Sequence, residues 1–334
     1  MEVVILQIFK VSVCISTRNR AEYLKTSIKS ALRQTLPNIE IVVLDDCSTD
    51  NTNDIVKQFD DPRIVYFRTN ERLGVTSSWN KCASISRGEY ITFLNDDDAL
   101  HPEMLEQESK LLDEDPELAC VYSGFYVINN NDKIIRTNIP HAGLYVKNGK
   151  DEFLSHIIKN YICTQTVLIR RSVFNKLNGF DTSMYLCTDL DFWFRLELEN
   201  YKIGYINRPL AYIRHHGKTF TSKSILNGSI LREYTNVLRK TLLSTKMKKL
   251  YKSEEITLIR KNAARGIVYH LLRWSYECLR QGNLKGTAYY LFQLTPWRST
   301  DFGELNPAMA VIIRQFILNS FQLLTGKIFK RLSV

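Results

Sequence analysis

Four short apolar runs, each closed by a polar cluster and followed by a helical stretch, constrain this chain more than any other feature. Val11–Ile15 leads into Ser16-Thr17-Arg18-Asn19 and a helical stretch from Ala21 to Gln34. Ile39–Leu44 ends in Asp45-Asp46 and Ser48-Thr49-Asp50, ahead of a helix over 51–59. Ile64–Phe67 precedes a helix over 75–86, and Tyr90–Leu94 runs into Asn95-Asp96-Asp97-Asp98. Strands alternating with helices build βαβ units, hence an α/β fold with a mainly parallel sheet and helices on both faces. Such sheets bind ligands beyond the carboxyl ends of their strands, which is where these polar clusters fall.

The remainder divides by texture. Residues 118–214 mix strand-like runs (119–128, 166–169, 203–206, 210–213) with short helices, and from about residue 224 long helical patterns dominate. This predicts a first domain over 1–222 and a helical, basic region over 223–334. Charge follows the same division. Up to Ser222 there are 26 Lys and Arg against 29 Asp and Glu, a net of −3; from Lys223 onward there are 19 against 6, a net of +13. A one-sign block of this size marks either solvated helix faces or a surface that meets something anionic. The seven cysteines form no C-x-x-C pair, which predicts free thiols in a reducing compartment.

Three acidic clusters could carry chemistry. Adjacent carboxylates at Asp96, Asp97 and Asp98 are costly to bury without a cation, and a hard divalent ion suits their oxygens. An acidic turn before the helix near Pro102 is the competing explanation. Asp46, at the end of a strand, could accept hydrogen bonds from a base or ribose, or serve as a turn signal. In Thr188-Asp189-Leu190-Asp191-Phe192-Trp193, Asp189 falls at a helix start and Asp191 is spaced to pair with Arg195. Here a general base competes with a capping Asp plus a surface ion pair. His215 and His216 could orient phosphate or acceptor, or be a loop pair without a task. The chain has no G-x-x-x-x-G-K-[ST] loop, no G-x-G-x-x-G turn and no plausible Ser–His–Asp order.

Val11 to Arg20, Gln34 to Thr52, Asn70 to Asn80 around Gly74, Gly88-Glu89-Tyr90-Ile91 with the acidic triplet, Gly179-Phe180-Asp181 and Asp189 to Trp193 stand in a particular order. Taken together, over about residues 10–215, they resemble the inverting family 2 glycosyltransferases of GT-A fold. The resemblance implies that Ser16, Thr17, Arg18, Asn19 and Asp46 contact the nucleoside. It places the ribose-facing member of the D-x-D element on Asp96 and the metal-binding member on Asp97, with Asp98 and Asp191 as accessory residues. Asn95 stands where many relatives carry the first Asp, which leaves the roles within 95–98 open. Asp189 takes the place of the base, with Thr188 replacing the family's usual Glu.

The same resemblance implies a Mn²⁺ or Mg²⁺ cofactor, a nucleoside-diphosphate sugar donor (UDP-linked as the first expectation) and a glycan or lipid-linked acceptor. It points to bacterial surface polysaccharide or glycan assembly. Nucleotidyl transfer and a catalytically degenerate nucleotide-sugar-binding scaffold are the alternatives. No nucleic-acid-binding pattern accompanies the basic charge. The longest apolar run near the start, Val3–Leu6, is too short to span a bilayer, and the 308–332 stretch is amphipathic, with Ile313, Phe316, Ile317, Phe321, Leu324 and Ile328 on one face. The expected location is cytoplasmic and peripheral on the inner membrane face, with an oligomer also compatible.

Overall fold

The computed structural model describes residues 9–215 and 220–294. The expectations made for His216 and for 308–332 lie outside the described residues. Two compact units emerge: 9–153 with 160–215, and 154–159 with 220–294.

The first unit begins with β1 (Val11–Thr17), α1 (Ala21–Leu32), β2 (Ile39–Asp45), α2 (Thr52–Lys57), β3 (Ile64–Arg68), α3 (Val75–Ile85) and β4 (Tyr90–Asn95). It continues through β5 (Ala99–Leu100), α4 (Met104–Glu114), β6 (Leu118–Ile128), β7 (Ile134–Asn138), β8 (Tyr145–Asn148) and α5 (Gly149–His156), whose end crosses into the second unit. A 3₁₀ turn (Thr164–Thr166), β9 (Val167–Arg170), α6 (Arg171–Lys176), α7 (Thr188–Leu198) and β10 (Lys202–Arg214) complete it. The strands form one sheet in the order β3-β2-β1-β4-β9-β6-β10-β5. β1 lies between β2 and β4, parallel to both, while β9 runs antiparallel to β4 and β6. The result is a mixed, mainly parallel sheet of GT-A type.

Alternation along the strands decides which helices cover which face, because successive side chains point to opposite sides. Val11, Val13 and Ile15 join Leu24 and Ile28 of α1 and Leu105 and Leu112 of α4 in one core. Cys14, Val42 and Leu44 join Trp79 of α3, Phe174 of α6 and Phe192 and Trp193 of α7 in the other. Phe93 sits edge-on to Phe180 at 4.9 Å, and burial of such a ring contributes about 1.5–3 kcal/mol.

One expectation needs correction. The runs at 203–206 and 210–213 are a single strand, β10. Pro209 cannot donate to a ladder and sits where the register with β6 shifts, so the strand bends rather than ends.

The second unit is helical: α8 (Phe220–Asn227), α9 (Ser229–Leu242), α10 (Thr245–Leu250), α11 (Ser253–Arg280) and α12 (Leu284–Phe292). Its core gathers Tyr234, Val237, Leu271, Trp274, Cys278 and Tyr290. Asn262 on α11 donates to the Leu154 carbonyl at 3.3 Å, tying that helix to residues 154–159. Among the described residues no helix is long and apolar enough to cross a membrane. All seven cysteines are free thiols.

Candidate active site

Strand register brings the polar clusters of the first unit together. Ser16 stands beside Asn95 across β1 and β4, and Thr17 beside Asp45 across β1 and β2. Because α1 and α2 lead to one side of β1 while β4 lies on the other, the ends of β1 and β4 border a topological switch point, where α/β sheets open a crevice.

The loops after β1 and β2 are clamped to each other. Asn19, with φ of 53°, donates its backbone N–H to Ser48 Oγ at 3.0 Å and accepts from the Thr49 N–H at 2.7 Å. Burial pushes the Asp50 carboxyl up, but the hydrogen bonds from Thr52 and from the Ala21 N–H, which donates to Asp50 Oδ2 at 3.2 Å, together outweigh it and hold the carboxyl below its usual range. Asp46 is nearly inaccessible; its two oxygens accept from the backbone N–H groups of Leu73 and Gly74 at 2.6 and 3.0 Å. Gly74 has φ of 83°, a conformation that glycine adopts without strain, and it opens α3. Arg18 is exposed, and Ser16 is half-buried at the strand tip.

Asp96, Asp97 and Asp98 lie side by side and are 5%, 7% and 2% exposed. Thr17 Oγ1 donates to Asp96 Oδ2 at 2.8 Å. The Arg20 guanidinium spans two of the carboxylates, reaching Asp96 Oδ1 at 3.1 Å and Asp97 Oδ2 at 2.5 Å. Asp98 turns the other way, accepting from Asn95 Nδ2 at 3.0 Å and from the Arg214 N–H at 2.8 Å. Burial pushes the Asp96 carboxyl up to about 7, although Arg20 pulls the other way, and burial together with Asp97 holds Asp98 well above the carboxylate range. The site thus carries more acid than its internal cation offsets.

A further carboxylate comes from α7. Asp189, in its first turn, accepts from the Leu190 N–H at 2.8 Å and from Thr164 Oγ1 at 3.4 Å. Thr164 lies in the 3₁₀ turn that precedes β9 and packs against β4, the strand that ends in the acidic cluster. Through its hydroxyl Asp189 is tied to the element that lies beside that strand.

Asp191 differs from the surface ion pair that its spacing allowed. It is 2% exposed and meets Arg195 Nε at 2.7 Å, while the same guanidinium donates to the carbonyls of Leu177 and Gly179 at 2.6 and 2.7 Å. The pair fastens α7 to the preceding loop. Asn80 of α3 grips that loop too, donating to the Phe180 carbonyl at 2.7 Å and accepting its N–H at 2.9 Å. His215 is exposed, and its N–H donates to the Ile128 carbonyl at 2.8 Å, one residue beyond the Arg214 N–H that donates to Asp98.

Sequence reasoning passed over Arg20, Thr164 and Asn80 as actors. For Arg20 the signal was present, a lone basic residue closing a polar strand end; for the others partnership appears only in three dimensions.

The carboxylates suit a divalent ion that arrives with a diphosphate. Among the described residues no three His, Cys, Asp or Glu side chains are grouped to hold an ion by themselves. Hard cations of the Mg²⁺ type are commonly held by one or two carboxylates plus substrate phosphates, and the buried Asp96 and Asp97 match that demand.

A mixed, mainly parallel sheet with buried acidic residues at the tip of its switch point is the frame of a glycosyltransferase. The chain belongs to the family 2 glycosyltransferases. The family model described as glycosyl transferase family 2 matches residues 12–177. An uncharacterised glycosyltransferase of Rickettsia typhi is 31% identical over 249 residues, covering 74% of each chain. One from Methanocaldococcus jannaschii is 30% identical over 208 residues, covering 61% of this chain and 70% of that one. Among solved structures, S. aureus TarS 1-349 in complex with UDP-GlcNAc aligns with a TM-score of 0.55 at 16% identity, over 87% of this chain and 93% of that one. The mannosyltransferase PcManGT from Pyrobaculum calidifontis, in complex with GDP-Man and Mn²⁺, aligns with a TM-score of 0.55 at 17% identity, over 96% and 86%.

Proposed function

We propose that this glycosyltransferase moves a sugar from a nucleoside-diphosphate donor to an acceptor hydroxyl with inversion at the anomeric carbon. The observation that carries the reading is that Asp96 and Asp97 lie buried at the end of β4, while Asp189 is held by Thr164, whose 3₁₀ turn packs against that same strand. A diphosphate gripped at the strand end would then present its sugar toward Asp189.

In this reading the Ser16–Asn19 loop and Asp46 border the nucleoside, Asp96 faces the ribose and Asp97 holds the metal. A bound Mn²⁺ or Mg²⁺ would supply charge neutralisation for the leaving diphosphate, worth several kcal/mol. Arg20, paired with Asp96 and Asp97, is positioned to exchange partners when a diphosphate enters. Asp189 takes the proton of the acceptor hydroxyl as its oxygen attacks the anomeric carbon, while the bond to the diphosphate oxygen breaks. Opposite-face attack inverts the centre and needs no covalent enzyme intermediate. A general base of this kind contributes typically ~10²–10⁴-fold. TarS with UDP-GlcNAc and PcManGT with GDP-Man support a nucleotide-sugar donor, and a UDP-linked sugar with a glycan or lipid-linked acceptor is our first choice.

The test is a panel of UDP- and GDP-sugars with Mn²⁺ or Mg²⁺, scored for nucleoside-diphosphate release and for the anomeric configuration of the product. Asp189→Ala should release little nucleoside diphosphate in the presence of acceptor. Full turnover by that variant would remove Asp189 as the base, and a retained anomer would end the inverting mechanism.

A further inference from the structure

The helical unit carries charge of one sign on an outward face. Residues 220–294 contain 14 Lys and Arg against 4 Asp and Glu, a net of +10. The long helix α11 organises part of this charge. Leu258, Arg265, Tyr269, Arg273, Tyr276 and Arg280 are spaced by 7, 4, 4, 3 and 4 positions and so lie on one stripe of an α-helix. The stripe is about 33 Å long at 1.5 Å per residue. Leu258, Tyr269 and Tyr276 are 48%, 37% and 51% exposed. On the opposite side of the same helix Ala263, Leu271, Trp274 and Cys278 are buried, so the stripe is the face the unit's own core leaves uncovered. Glu277 lies off the stripe and reaches Arg280 at 3.0 Å, which offsets part of that one charge.

We propose that this stripe of α11 docks the protein onto an anionic lipid bilayer. Three guanidiniums at intervals of about two helical turns match a sheet of phosphate headgroups. The interleaved tyrosines are amphipathic rings of the kind that settles at the headgroup level, and Leu258 adds aliphatic surface beside them. Elsewhere in the same unit, Leu243 and Phe292 are 66% and 70% exposed, apolar surface that an acyl boundary accepts and a phosphodiester backbone does not use. Since no described helix can cross a bilayer, the contact is interfacial. The proposal is independent of which sugar is moved, and vesicle binding needs neither donor nor acceptor.

The test is flotation of the full chain with phosphatidylcholine vesicles, with and without phosphatidylglycerol, at 0.05 and 0.5 M salt. The expected result is binding to the anionic vesicles at low salt, loss at high salt and little binding to the neutral ones. A basic residue near an anionic surface is worth about fivefold, so Arg265→Gln/Arg273→Gln/Arg280→Gln should weaken binding by about 10²-fold. Tyr269→Ser/Tyr276→Ser should weaken it while preserving its salt dependence. Far-UV circular dichroism confirms that each variant folds, and the wild-type salt and lipid series stands if one does not. Undiminished flotation of the folded Arg triple variant would overturn the assignment, as would equal binding to neutral vesicles. Single-stranded RNA that strips the chain from anionic vesicles at equal phosphate concentration would assign the stripe to nucleic acid instead.

Discussion

Opposite ends of the same strands carry two buried polar clusters with opposite balance. At the amino-terminal end, Glu40 of β2 accepts from Ser12 Oγ at 2.7 Å and from Arg87, whose guanidinium also pairs with it at 3.1 Å. Ser12 in turn accepts from the Gly88 N–H at 2.7 Å and from Arg171 at 3.1 Å. One carboxylate thus meets a dense set of donors, the arrangement that makes a buried charge tolerable. At the carboxyl-terminal end three adjacent carboxylates share the Arg20 guanidinium, which reaches two of them, while Arg214 donates its N–H to Asp98 and its guanidinium to the Asp97 carbonyl; burial pushes Asp96 and Asp98 upward. A closed network holds strands together. An open one keeps unspent attraction for a cation and a ligand.

The largest effect separating the two ends should come from Asp97→Asn. Loss of a metal-holding carboxylate should lower turnover by about 10³-fold, given that such an ion is worth several kcal/mol. Stability measured by urea unfolding should stay the same or rise, because repulsion is relieved. A clear loss of stability would mean that the acidic end is structural after all.

Next is the pH dependence carried by Asp96. Its native carboxyl titrates at about 7, above the ~4 of an unfolded chain, so the native state holds the proton more tightly. This contribution is fully present below about pH 4 and is lost as pH rises through 7. Wild-type stability should therefore fall by about 3 kcal/mol between pH 5 and 8, and Asp96→Asn should flatten that slope. Parallel slopes for the two proteins would contradict the open network. Glu40→Ala makes the converse case. Leaving Arg87 without its carboxylate and Ser12 without its acceptor should cost about 2–3 kcal/mol, discounted for the exposure of Arg87, while kcat of the folded enzyme survives.

How far the sequence could reach follows the same division. The four apolar runs and their acidic tips were legible because strand period and polar strand ends are local signals, whereas the switch point needed the strand order. Glu40 was not, since one acid inside Ile39–Leu44 looks like an interruption until Ser12 and Arg87 converge on it. β7 and β8 escaped because each is four or five residues long and mostly exposed, without an apolar run. The Asp191–Arg195 spacing was readable but its burial was not, because the carbonyls of Leu177 and Gly179 that complete the guanidinium come from another segment. For Asp189, type and helix position were legible, while the Thr164 hydroxyl beside it lay 25 residues away.

Gly179 joins the base helix to α3 and sharpens the comparison at an intermediate scale. Its φ is 63°, and a Cβ there would come within 2.6 Å of Asn80 Oδ1, the atom that accepts from the Phe180 N–H. Gly179→Ala should cost about 2 kcal/mol through strain and displacement of that hydrogen bond. If the loop serves to place α7, kcat should fall along with stability; an unchanged kcat would make it a packing feature alone.

The smallest expected effect tests the open end most finely. Thr164 Oγ1 reaches Asp189 Oδ2 at 3.4 Å, a long contact, so its removal should be worth no more than about 1 kcal/mol, or roughly fivefold in kcat. Its direction matters more than its size. A hydroxyl donating to a carboxylate favours the ionised form, so Thr164→Val should raise the pKa of Asp189 and move the acid limb of the kcat profile to higher pH. Thr164→Ser, which keeps the hydroxyl, should restore the limb even if packing suffers. A role in packing alone would lower the melting temperature of both variants and leave the limb where it was. An acid limb that stays fixed in Thr164→Val, or moves downward, would detach Thr164 from the base and return it to the scaffold.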